Sequence, residues 1–204
     1  MIKCSQAVSV LLAAACALVT AAPAQADEAC AEAVRAIMTE TRQGQPAVKH
    51  VSRTIAGGAE TLSLFWSTGF NEGLSASADG VPQSLFRDGS FFFTTDGGEN
   101  WTLSRRYDDA EIEAIVDGMI WQAENADSFT CEEGAQFEGR VGNRYEVLYT
   151  QRSTQQPVRT VYWVDPVSAF VWRTENTFGE GEAAMQVIQD SEPAPDFELP
   201  DPGN

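Results

Sequence analysis

From residue 47 onward, the chain is a succession of short segments in which apolar and polar side chains alternate. A period of two is typical of strands that bury one face. Turn signals such as Gly57-Gly58 separate neighbouring segments, as they do in β-hairpins. Only two stretches, 28–43 and 109–126, carry apolar residues at helical spacing. Since strands and helices do not alternate, the pattern predicts one α+β domain with an antiparallel sheet and two helices packed on it.

The N-terminal segment 1–26 has the three parts of a cleaved secretory signal peptide. Lys3 supplies the positive start, an apolar core covers residues 7–19, and residues 24–26 (AQA) form a small-x-small cleavage site. This run is too short for a membrane span, which needs roughly 20 apolar residues. The alternative is a lipoprotein acylated at Cys16, although Ala13 occupies the position where such sites have a larger aliphatic residue. We therefore expect a soluble periplasmic protein that does not span the membrane.

The mature chain is predicted to be a single acidic domain, residues 27–190, followed by a proline-rich tail, residues 191–204. The tail is expected to be extended, or disordered at its end. The whole chain has 30 acidic and 13 basic side chains, which gives a net charge of −17. Because such a surface repels phosphate groups, we expect no nucleic acid as a partner, and anionic membrane surfaces are poor partners.

Two cysteines, Cys30 and Cys131, follow the signal peptide. In an oxidising compartment, a single pair predicts one disulfide, and two free buried thiols are the alternative. The bond would close a loop of about 100 residues, for which the chain-entropy model gives roughly 4–5 kcal/mol of stabilisation.

Most catalytic and metal-binding patterns are missing from the sequence. His50 is the only histidine, and its strand pattern indicates a side chain that faces solvent or a polar neighbour. No nucleophile elbow, phosphate loop or dinucleotide fingerprint accompanies it. Residues 94–101 (TTDGGENW) resemble the Asp-box of sialidase-like propellers, but a single copy indicates a hairpin turn and no glycosidase activity. We expect no catalytic residue, no metal and no cofactor; a periplasmic hydrolase that uses His50 is the least favoured alternative.

The C-terminal third resembles the outer-membrane lipoprotein-sorting (LolA-like) family. The resemblance rests on residues 161–166 (VYWVDP), residues 171–173 (VWR), a glycine turn at 179–181 and the closing residues 195–200 (PDFELP). It is specific over about residues 158–200, and elsewhere only the order of elements agrees. It implies an incomplete antiparallel barrel that is covered by two helices and holds acyl chains on its concave, apolar side.

Aromatic side chains on both faces of the predicted strands also indicate a hollow between the sheet and the helices, although large rings serve equally as ordinary core. The candidate ligand-binding residues are Phe91, Phe93, Ile112, Ile115, Val116, Met119, Ile120, Tyr145, Tyr149, Tyr162 and Trp172. The predicted function is non-enzymatic binding of an acyl chain, lipid or lipoprotein, with a lipid or acylated protein as the partner. The alternative is an envelope sensor or interaction domain that binds another envelope protein through the same groove.

Overall fold

The computed structural model describes residues 28–40, 42 and 45–203, so the signal peptide predicted for residues 1–26 lies outside the described residues. In the described part of the chain, the helices are α1 (Glu28–Thr39), α2 (Asp109–Glu124) and a short 3₁₀ helix (Gly181–Ala183). The strands are β1 (Val48–Ala56), β2 (Ala59–Gly69), β3 (Glu72–Ser77), β4 (Pro82–Arg87), β5 (Ser90–Phe93), β6 (Thr102–Arg106), β7 (Ser128–Phe137), β8 (Arg140–Thr150), β9 (Pro157–Val164), β10 (Val171–Phe178) and β11 (Met185–Pro193).

The strands of the described chain form one antiparallel sheet of 11 strands in the order β6-β5-β4-β3-β2-β1-β11-β10-β9-β8-β7. The sheet does not close, so β6 and β7 are its two edges. The chain between these edges forms α2, which therefore connects one edge of the sheet to the other. This unclosed antiparallel sheet with two helices confirms the predicted α+β incomplete barrel.

One row of cross-strand neighbours defines the face of the sheet on which α1 lies, here named the helix-side face. Tyr145 on β8 lies opposite Cys131 on β7 and opposite Tyr162 on β9. Thr174 on β10 lies opposite Tyr162 and opposite Gln189 on β11. Because directly opposed residues in a sheet point to the same side, all of these side chains share the helix-side face.

Helix α1 is bonded to this face. The Cys30–Cys131 disulfide joins the first turn of α1 to edge strand β7, with a sequence separation of 101, and confirms the predicted pairing. Ala31 and Val34 of α1 are 4% and 0% exposed. The Arg35 guanidinium lies 5.0 Å from the centre of the Phe129 ring on β7. Helix α1 is therefore fixed to the β7 side of the sheet by a covalent bond and by buried apolar contacts.

Helix α2 begins with a capping box. The Asp108 carboxylate accepts a hydrogen bond from the Glu111 amide at 2.8 Å, and the Glu111 carboxylate accepts one from the Asp108 amide at 3.1 Å. These bonds satisfy two amide groups at the helix start that have no partner inside the helix. Asp108 is thus the N-cap of α2.

The opposite face of the sheet carries a second apolar core. The rings of Phe137, Trp163 and Trp172 pack together, with centroids 4.9 to 6.1 Å apart. The buried Arg173 guanidinium lies 4.6 Å from the Phe137 ring centre and forms an ion pair with Asp190 at 2.9 Å. Both faces of the sheet are therefore covered over part of their area.

The tail also lies against the opposite face. Phe197 stacks on Trp66 of β2 with ring centres 5.3 Å apart. The Arg87 guanidinium donates hydrogen bonds to the carbonyl oxygens of Leu199 and Pro200 at 3.3 and 2.9 Å. The tail makes a turn closed by a hydrogen bond from the Phe197 amide to the Ala194 carbonyl at 3.0 Å, and it is hydrogen-bonded to the sheet through residue 200.

The Asp-box-like segment forms the turn between β5 and β6. The Asp96 carboxylate accepts hydrogen bonds from the Asn100 amide at 3.0 Å and the Asn100 side chain at 2.7 Å. Bonds from Asn100 and Thr94 hold the pKa of this carboxyl well below its usual range. Gly97 and Gly98 have φ angles of 76° and 96°, which favour glycine. The motif acts here as a hairpin turn.

Candidate binding cavity

A cavity of about 730 Å³ lies between α1 and the helix-side face of the sheet. It is lined by α1, by the chain that follows it, and by strands β1, β8, β9, β10 and β11. Its volume is in the range of about 300–1,000 Å³ that is typical of small-molecule sites. The cavity is therefore large enough to hold a ligand of that size class.

The α1 side of the cavity consists of Ala33, Ala36 and Ile37. These residues stand at helical spacing on one face of α1, next to the face that buries Val34. Two of the three are alanine, so the helix approaches the sheet without filling the space between them. Short side chains on an anchored helix are the local reason that a cavity exists here.

The sheet side of the cavity, here named the floor, has a polar centre. His50 on β1 lies opposite Phe65 on β2 and opposite Ser191 on β11. Its Nδ1 lies 2.8 Å from the Ser191 hydroxyl, and its ring stacks on Phe65 with centres 5.8 Å apart. Gln189 and Thr174 continue the polar surface toward Tyr162. His50 thus has a polar neighbour, as its strand pattern predicts.

The floor is uncharged at neutral pH. Burial, and secondly the positive charge of Arg42, lower the pKa of His50 from 6.5 to about 4. Burial, and secondly the neighbouring Tyr149, raise the pKa of the Tyr162 hydroxyl well above its ordinary value. His50 is therefore a neutral imidazole, and Tyr162 is a protonated phenol that can donate a hydrogen bond.

Charged side chains line the cavity only at its rim, defined here as the described residues 40, 42 and 45 that follow α1. The Arg42 guanidinium donates to the Pro46 carbonyl at 3.0 Å, and the Gln45 side chain donates to the Glu40 carboxylate at 2.9 Å. Arg42 also lines two further hollows, of about 370 and 580 Å³. The rim is thus the place where three hollows on this side of the molecule meet.

Among the predicted ligand-binding residues, Tyr145 and Tyr162 line this cavity. Tyr149 lies on the same face of β8 but is not among the lining residues. Phe91 and Phe93 lie near the β6 edge of the sheet, on β5, and Phe93 is 41% exposed. The structure therefore brings two of the predicted aromatic residues together at the cavity.

The remaining candidates lie elsewhere. The five apolar residues of α2 do not line the cavity. They are Ile112, Ile115, Val116, Met119 and Ile120. Trp172 lies in the aromatic core on the opposite face, because the register between β9 and β10 shifts at residues 171–173 and Trp172 packs on Trp163. A strict period of two cannot predict such a shift.

The sequence alone did not single out the short and polar residues of the cavity. Ala33 and Ala36 matter because their side chains are small, and the amphipathic stripe gives them little weight. His50 and Ser191 are 141 residues apart in the chain and become neighbours only through the pairing of β1 with β11.

The sequence matches no known family model, and no curated protein matches it significantly. Among the solved structures that share the fold are two mycobacterial proteins. LprF from Mycobacterium bovis is 9% identical with a TM-score of 0.51, over 87% of this chain and 99% of that one. The lipoprotein LppX from Mycobacterium tuberculosis is 10% identical with a TM-score of 0.50, over 81% of this chain and 94% of that one. At such identities, the similarity establishes the fold alone.

Proposed function

We propose that this protein binds a hydrophobic ligand, the acyl chain of a lipid or lipoprotein, in the cavity beneath α1, and that it does so without catalysis. The observation that carries the proposal is the cavity of about 730 Å³ between an anchored helix and the sheet. The resemblance of residues 158–200 to lipoprotein-sorting proteins and the shared incomplete-barrel fold support it.

Burial of the chain itself provides the affinity. Each methylene group transferred from water contributes about 0.8 kcal/mol, so ten of them contribute about 8 kcal/mol before the cost of association. Ala33, Ile37 and Val164 supply apolar contacts along the cavity. A long acyl chain therefore binds without a charged contact.

The proposed compartment is the periplasm, reached after cleavage of residues 1–26, with acylation at Cys16 as the alternative. The Cys30–Cys131 disulfide supports an oxidising compartment. Among the helices of the described residues, none has the length and apolar character needed to cross a membrane.

The first experiment is native mass spectrometry of the protein purified from its own host, which should detect a bound lipid. The second is titration with a fluorescent fatty-acid probe. Ala33→Trp fills the cavity and should weaken binding about tenfold or more, which corresponds to at least about 1.4 kcal/mol. Ala114→Trp is the matched control, because Ala114 is an exposed alanine on α2. Equal affinities of the two variants would place the ligand outside this cavity.

A second candidate function is the envelope sensor or protein-interaction domain. The observation that favours it is the exposed apolar surface of α2, where Ile115 and Ile120 are 41% and 39% exposed. Such groups are typical of protein contacts when they form a continuous patch. A wild-type protein that carries no lipid from its host and binds no lipid probe would favour this function over the first.

A further inference from the structure

We infer that the ligand carries an uncharged hydrogen-bonding group, a hydroxyl or an ester carbonyl, and that His50 binds this group at the floor of the cavity. The inference rests on the proposed function and names the class of ligand: an acyl chain with a neutral head, such as a monoacylglycerol. It also assigns a role to the only histidine of the chain.

The geometry of His50 leaves one ring nitrogen for a ligand. Nδ1 is engaged by the Ser191 hydroxyl at 2.8 Å, and the stack on Phe65 fixes the plane of the ring. In the described part of the structure, Nε2 has no hydrogen-bond partner, while His50 lines the cavity. A neutral imidazole whose Nδ1 is bonded offers Nε2 either as donor or as acceptor, depending on the tautomer. Both a hydroxyl and a carbonyl therefore find a partner there.

Three neighbouring groups of the floor have the same spare capacity. Within the described residues, the hydroxyl groups of Thr174 and Tyr162 have no hydrogen-bond partner. Gln189 donates from its side-chain nitrogen to Ser52 at 3.3 Å, which leaves its oxygen free to accept. Because these residues line the cavity, a ligand or water inside it can bond to their polar groups. These groups extend the neutral donors and acceptors of the floor from His50 across β11, β10 and β9.

The charges around the cavity disfavour an anionic head. Glu40 and Arg42 are the charged lining residues of the described chain, they have opposite signs, and both stand at the rim. The pKa of His50 is about 4, so the floor holds no cation at neutral pH. A carboxylate or phosphate placed on the floor would lose its hydration, and Arg42, the cation that lines the cavity, stands at the rim together with the opposite charge of Glu40. The net charge of −17 also repels anions from the whole molecule.

The test compares three competitors that have the same chain length and differ at the head: monooleoylglycerol, oleate and octadecene. The affinity of each competitor is measured at neutral pH by its displacement of a fluorescent lipid probe from the wild type and from His50→Phe. His50→Phe keeps an aromatic ring on Phe65 and removes both ring nitrogens. Ser191→Ala is the second variant, because it removes the hydroxyl that orients His50. Ser75→Ala is its matched control, since Ser75 also lies opposite Phe65 and does not line the cavity. Thermal unfolding verifies that each variant is folded.

We expect the wild type to bind monooleoylglycerol about tenfold more tightly than octadecene, the factor that one neutral hydrogen bond supplies. His50→Phe should remove this difference and leave the affinity for octadecene unchanged, while Ser75→Ala should behave as the wild type. The inference is overturned if oleate binds more tightly than monooleoylglycerol, or if His50→Phe weakens all three competitors equally. Equal binding of all three by the wild type would refute this inference and leave the proposed function intact. Failure of every lipid to bind would refute both.

Discussion

Helix α1 and helix α2 carry comparable apolar stripes in the sequence, but they are held in different ways. Helix α1 is joined to β7 by the Cys30–Cys131 disulfide, and it buries Ala31 and Val34. Helix α2 has the longer stripe, yet Ala123 is its one buried residue. It packs mainly on α1, and Ile115 remains 41% exposed.

The difference shows which properties of a helix decide whether it covers the sheet. They are its covalent attachment to a strand and the size of its side chains, and not the number of its apolar residues. The short side chains of Ala33 and Ala36 on a fixed helix leave a cavity. The larger apolar side chains of α2 lie on a segment that follows edge strand β6 and precedes edge strand β7. The ligand is therefore expected beneath α1, and the apolar surface of α2 is available for another contact.

The largest expected effect comes from removal of the attachment of α1. The double variant Cys30→Ser, Cys131→Ser opens a loop with a sequence separation of 101. The chain-entropy model gives a loss of about 4–5 kcal/mol in the free energy of unfolding for a loop of this size. Urea unfolding measures it, with the reduced wild type as control. A loss below about 1 kcal/mol would mean that packing alone holds α1, and that the two helices differ less than proposed.

The second effect is the pH dependence of the free energy of unfolding that the buried imidazole of His50 causes. The pKa of His50 is about 4 in the folded protein against 6.5 for the free side chain. The unfolded chain therefore binds the proton first, and stability falls as the pH is lowered from about 6.5 to about 4. The expected loss in the free energy of unfolding is about 3.5 kcal/mol, since each pKa unit corresponds to about 1.4 kcal/mol.

His50→Phe provides the control for this effect, because it removes the titrating group while all carboxyl groups remain. The measured quantity is the difference in unfolding free energy between the wild type and His50→Phe at several pH values. This difference should change between pH 6.5 and 4 and be constant above pH 7. A difference that is constant throughout would mean that water reaches His50 and that the cavity beneath α1 is not a low-dielectric site.

A matched pair of truncations compares the packing of the two helices directly. Val34→Ala removes a fully buried side chain from α1 and should cost about 2 kcal/mol. Ile115→Ala removes a larger side chain from α2, but this side chain is 41% exposed, and the cost should be below about 1 kcal/mol. Thermal or urea unfolding of both variants gives the comparison. A larger cost at Ile115 than at Val34 would reverse the assignment of the anchored helix.

Local patterns in the sequence were sufficient to predict an antiparallel sheet with two helices, and the resemblance of residues 158–200 supplied the incomplete barrel. Alternation and turn residues predicted the strands, helical spacing of apolar residues predicted α1 and α2, and the cysteine count predicted the disulfide. The cavity could not be predicted in the same way, because it depends on which distant strands pair. His50 and Ser191 meet through the β1–β11 pairing, and Trp172 leaves the helix-side face through a register shift.

The smallest expected effect concerns Met119 on α2, one of the residues that the sequence pattern assigned to ligand binding. Met119→Trp adds volume on a helix that does not line the cavity, so the affinity for a fatty-acid probe should change by less than about twofold. Its unfolding temperature is measured alongside, because Met119 is half-buried and the larger ring can disturb the contact with α1. If Met119→Trp weakened binding tenfold without loss of stability, the ligand would lie beneath α2. The exposed apolar residues of that helix would then belong to a lid over the opening between β6 and β7. The magnitude of this one change therefore decides which of the two helices contacts the ligand.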